Sequence, residues 1–67
     1  MPTTETIVRR TCRQTGTHRD VPFDEAVAEI VVWLAALGYH READAEHVGA
    51  ELQEHPIQGD LFFWEVR

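Results

Sequence analysis

The fold class this chain predicts is α+β with the order ββααβ: a short antiparallel sheet, made of an N-terminal hairpin plus a C-terminal strand, packed against two helices. Three observations carry it. Residues 3–13 (TTETIVRRTCR) are rich in Thr, Ile and Val and contain no Gly or Pro, which suits a pleated, half-buried strand. Phe23, Val27, Ile30, Leu34 and Leu37 recur at steps of four and three, the spacing of one helical stripe. The run Leu61-Phe62-Phe63-Trp64-Glu65-Val66 is aromatic and aliphatic, as strands are. With 67 residues the chain forms one domain, 1–67, near the lower size limit for folding unaided, so the strands must meet over the helices to make a core.

The elements follow in order. After the first strand, Gln14-Thr15-Gly16-Thr17 is a Gly-containing turn, and His18 to Val21 returns as a second strand. Pro22 ends that pairing, because it has no N–H for a ladder and its fixed φ suits a first helical turn. The first helix carries Asp24 and Glu25 in its first turn, where carboxylates favour the positive end of the dipole, and Gly38 closes it in a left-handed conformation. A second helix runs from about Glu42 to Glu54, with a thin apolar face of Ala45, Val48 and Leu52 and with Gly49 permitting close approach. It stops before Pro56, which pushes the preceding residue out of the α region. Ile57 to Arg67 is the last strand, with Phe62, Trp64 and Val66 on one face and Leu61, Phe63 and Glu65 on the other. Alternating directions along this path make it antiparallel to the second strand.

Charge is unevenly placed. Residues 1–20 hold four arginines against two acids, a net +2, whereas residues 21–67 hold two arginines against ten acids, a net −8. The chain lacks Lys, Asn and Ser, a composition expected of a GC-rich coding sequence; with the small size, it points to a phage or other mobile element. Cys12 is the only cysteine, so an internal disulfide and a Cys-rich zinc site are excluded and a reducing compartment fits. The start MPTTE has neither a basic segment nor an apolar one of the secretory kind, so a cytoplasmic protein is expected. The longest apolar run, Ile30 to Gly38, falls well short of the roughly 20 residues of a spanning helix.

Chemistry-bearing patterns are few. His40, Asp44, His47, Glu51 and His55 lie at steps of four, three, four and four, a stripe in which Asp44, His47 and Glu51 are the three candidate metal ligands on a helix. Three ligands on one helix need a fourth from elsewhere, and solvated helix faces commonly carry such pairs, so no metal or other cofactor is expected. There is no serine nucleophile, and Cys12 with His18 is the one thiol–imidazole pair close in sequence. So short a chain can hardly build a rigid cleft around them, and an enzyme is not expected. Arg9 and Arg13 share one strand face and Arg10 takes the other, so the alternative role is nucleic-acid binding through this Arg-rich N-terminal strand, weak and nonspecific because few guanidinium groups align. A second helix this acidic would be repelled by a phosphate backbone, although it suits a basic protein partner.

The expected role is a small non-catalytic protein-binding or regulatory module. Val32 projects opposite the core stripe of the first helix and Trp33 falls at its edge, and Phe63 lies on the second face of the last strand; with Arg9 and Arg13 these are the candidate partner-binding residues. Apolar surface on both faces of one strand also leads to the expectation of a homodimer.

Overall fold

A computed structural model describes residues 6–67, so positions 3–5 of the expected first strand lie outside the described residues. Within them the fold is α+β: β1 (Ile7–Cys12), β2 (His18–Pro22), α1 (Phe23–Ala36), α2 (Ala45–Glu54), β3 (Ile57–Gln58) and β4 (Phe62–Val66). The strands form one antiparallel sheet in the order β2-β1-β4-β3, and both helices pack on the same face.

Local chemistry explains each boundary. In the β1–β2 turn Gly16, at φ 77°, donates its N–H to the Cys12 carbonyl at 2.8 Å, and the Cys12 N–H reaches Thr17 O at 2.8 Å. At the end of α1, Gly38 takes φ 90° while its N–H bonds Ala35 O and the Tyr39 N–H bonds Leu34 O, the two bonds of a Schellman motif. Helix α2 begins at Ala45 rather than Glu42, because the Asp44 carboxylate accepts from the His47 N–H at 3.0 Å and so caps the helix there. It ends at Glu54, with His55 extended at φ −159° ahead of Pro56, as the proline requires.

The expected last strand is divided in two. Gly59 donates to Phe62 O at 2.8 Å, folding β3 back on β4 with Ile57 opposite Trp64 and Gln58 opposite Phe63. The Trp64 ring lies against Gly59, where a Cβ would sit 2.9 Å from Cζ3. This extra reversal makes β4 antiparallel to β1 instead of to β2, and places it inside the sheet between β1 and β3.

The core joins Val8, Val21 and Trp64 of the sheet to Phe23, Ala26, Val27 and Ile30 of α1 and to Val48 and Leu52 of α2. The α1 stripe outruns the sheet: Leu34 is half-buried and Leu37 is 49% exposed, so neither belongs to the centre of the core. Ala45 is likewise exposed, while Gly49 faces Phe23 at a distance that leaves room for a methyl group, 3.6 Å from Cε1. None of the described helices is long and apolar enough to cross a membrane.

Candidate functional site

Alternation along β4 sends Phe62, Trp64 and Val66 toward the helices and Phe63 and Glu65 to the opposite, open face of the sheet. Each side carries a candidate surface. On the helix side the anchor is Trp64, whose ring packs against Phe62 at a centroid distance of 5.9 Å and against Trp33 at 6.0 Å. Its Nε1 donates to Glu29 Oε1 at 3.2 Å, and the other oxygen of that carboxylate pairs with Arg10. The Arg10 guanidinium also lies 4.9 Å from the centroid of the Phe62 ring. A charge among aromatic rings is thereby neutralised, hydrogen-bonded and stacked at once.

Beyond this anchor the outer side of α1 and the β3–β4 turn diverge, leaving an open groove of about 670 Å³. Ala28, Val32, Trp33, Leu61, Phe62 and Trp64 form its apolar lining, and Glu25, Glu29 and Asp60 supply carboxylates around it. Val32 is 69% exposed and Leu61 52%, so both project from the walls, and Trp33 Nε1 is buried without a hydrogen-bond partner.

The open face is built differently. Ile7, Arg9 and Thr11 of β1 alternate onto it beside Phe63 and Glu65 of β4 and Asp20 of β2. Arg67 pairs with Asp20 across it. Arg9 stands in register with both Asp20 and Glu65, yet no ion pair among the described residues includes it, and its Nε is buried without a partner.

The five expected partner-binding residues are thus separated. Val32 and Trp33 lie in the groove, Arg9 and Phe63 on the open face, and Arg13 ties the two hairpins together. Its N–H reaches Leu61 O at 2.8 Å and its Nη1 reaches Gly59 O at 2.7 Å. Sequence reasoning had no signal for Leu61 as the groove's second wall, since only the fold brings that turn beside α1. Of the cations, Arg19 and Arg41 are the two arginines with neither an ion pair nor a buried or hydrogen-bonded guanidinium among the described residues, Arg19 on β2 and Arg41 in the turn between α1 and α2.

The α2 stripe is dispersed in the same way. Asp44 is occupied as a cap, His40 lies in the turn before the helix, and Glu51 pairs with His55 Nε2 at 2.7 Å. The Pro56 carbonyl, 3.0 Å from His55 Nδ1, and then Glu51 raise the His55 pKa above its ordinary value. No group of three or more His, Cys, Asp or Glu among the described residues is placed to hold a metal ion. Cys12 and His18 do line one shallow depression, with Arg10 and Arg19, but no hydrogen bond joins them. The Thr15 hydroxyl, followed by the backbone at Thr15 and Gln14, holds the Cys12 thiol below its ordinary pKa. No protein-family model, curated protein or solved structure matches the chain.

Proposed function

We propose that this protein is a non-catalytic binding module that captures a basic, amphipathic segment of a partner protein in the groove between α1 and the β3–β4 turn. The observation that carries this reading is the union of a concave, aromatic-floored apolar lining with rim carboxylates from Glu25 and Asp60, the third lining acid, Glu29, being already paired with Arg10. Contiguous exposed apolar surface on a small protein marks contacts, and aromatic floors accept the anchor side chains that dominate binding energy. The rim adds selectivity: it draws Lys or Arg flanking the anchors and repels acidic segments. A helix presenting apolar residues along one stripe is the form such a groove receives.

Selection from a displayed random-peptide library tests the reading, with Leu61→Asp protein as the counter-selecting bait. Enriched peptides are expected to combine an apolar stripe with Lys or Arg. Their affinity, followed by tryptophan fluorescence, should fall at least ~10-fold on Val32→Asp or Leu61→Asp and should weaken with salt. Peptides that bind these variants as tightly as the wild type, or no enrichment over the counter-selection, would overturn it.

A further inference from the structure

We propose that the open face of the sheet is the contact surface for a second copy of this chain, with β1 of each copy stacked over β4 of the other. The proposal is independent of the groove and its ligand.

Charge distinguishes this face from the groove. Glu25 and Asp60 flank the groove while Glu29 is already paired with Arg10, so a two-fold axis there would set the free carboxylates against each other. The open face carries Arg9 and Arg67 against Asp20 and Glu65, a local balance in a chain whose net charge is −6. Self-association requires one patch to complement itself, and of these two surfaces the balanced one does so.

Register supplies the geometry. β1 and β4 are the two central strands, and Arg9 is directly opposite Glu65 while Thr11 is directly opposite Phe63. A two-fold axis lying in the interface, parallel to the strands and midway between β1 and β4, exchanges their positions at constant height. It sets Arg9 over the partner's Glu65 twice, and Thr11 over the partner's Phe63 twice. Stacked sheets lie about 10 Å apart, a gap that an extended Arg and an extended Glu bridge together. Among the described residues Arg9 has no ion pair despite having Glu65 as its register neighbour, and its Nη atoms are not among the buried, unpartnered ones. The second copy supplies a carboxylate to that guanidinium.

Size agrees with a modest interface. Three strands of five or six residues and β3 of two, about 4.8 Å apart and rising about 3.3 Å per residue, give a face of roughly 290 Å². With side-chain relief, two such faces bury somewhat less than about 1,000 Å², the size of a weak, reversible contact. The described chain is two layers deep, 17 Å in its smallest extent, and stacking produces a helix–sheet–sheet–helix sandwich with the aromatic Phe63 covered.

Sedimentation equilibrium of the full chain over a micromolar concentration series tests this, with Arg9→Glu and Glu65→Arg as the diagnostic variants. Wild type is expected to dimerise, and each reversal alone to raise the dissociation constant at least ~10-fold, because each dimer contains the altered contact twice. An equimolar mixture of the two variants should regain a dimer of near wild-type affinity, since each then brings the charge its partner lacks. That recovery distinguishes contact between copies from the cross-strand pairing within each copy. Val32→Asp should leave the dimer unchanged. Circular dichroism checks folding, and if a reversal does not fold, Arg9→Gln replaces it with the same direction expected. A monomer at every concentration, a dimer indifferent to both reversals, or one abolished by Val32→Asp would overturn the proposal.

Discussion

The groove beside α1 and the open face of the sheet are the two sides of one strand: Phe62 and Trp64 of β4 serve the first, Phe63 and Glu65 the second. On the groove side the polar groups that approach the aromatics are satisfied internally, with Arg10 and Trp64 both bonded to Glu29. The carboxylates left at the rim are all of one sign. On the open side the charges are of both signs, and Arg9 has no ion pair among the described residues. Under the two roles proposed above, it is the sign and balance of the surrounding charges, not apolar content, that separates a heterologous docking site from a self-association face.

The largest perturbation removes what the two surfaces share. Trp64 is 2% exposed and packs against the core, Gly59 and the groove floor, so Trp64→Ala should cost about 3–5 kcal/mol. Total stability in so small a domain is about 5 kcal/mol. Denaturant melts should therefore find the variant largely unfolded with both surfaces lost; near wild-type stability would mean that Trp64 is not the anchor described. Gly59→Ala is a narrower cut. Its Cβ would meet the rigid Trp64 ring at 2.9 Å and Phe62 O at 3.2 Å, a collision worth about 1–3 kcal/mol. It should displace the groove floor and weaken groove ligands while sparing charge-sensitive dimerisation, so equal losses at both would mean that the surfaces are coupled.

Gly49→Ala should touch neither surface. The added methyl meets Phe23 Cε1 at 3.6 Å, ordinary contact, and replacing a helical glycine should raise stability by about 0.5–1 kcal/mol. A destabilised variant would show that α1 and α2 are closer than described. The smallest effect concerns pH. Because the folded-state pKa of His55 is raised, its contribution to stability is complete below the unfolded value and is lost as pH rises through the folded one. The melting temperature of the wild type relative to His55→Gln should decline slightly across that window, with groove and dimer affinities unaffected at either end. A difference that grows as pH rises would contradict the raised pKa.

Legibility in the sequence followed the range of the interactions. α1, its Gly38 cap and the stop before Pro56 depend on neighbours a few residues away, and all three were readable. The division of the last strand was not, since Gly59-Asp60 beside an aromatic run reads equally as a strand entrance. Its turn is held by Arg13, 46 positions earlier in the chain. Leu37 fits the helical period, but periodicity carries no information on where the sheet beneath it ends. Half of the groove was visible in Val32 and Trp33 as apolar residues opposite the stripe and at its edge. The other half, Leu61 and the commitment of Glu29 to Arg10 and Trp64, exists only after the hairpin is folded against α1.

The place of β4 at the centre of the sheet has a kinetic consequence. Val8 pairs with Val66, 58 positions later, so closing the central ladder costs about 3–4 kcal/mol of chain entropy before its contacts form. A nascent polypeptide emerges N-terminus first, so the β1–β2 hairpin and α1 are synthesised while β1 still lacks its other neighbour. A two-stranded hairpin is marginal by itself, and the bare edge of β1 is a template for wrong pairing. A product truncated before Phe62 should therefore be cleared by proteases instead of persisting as a partial binder. The sheet of this domain can be completed only after Phe62–Val66 has been synthesised.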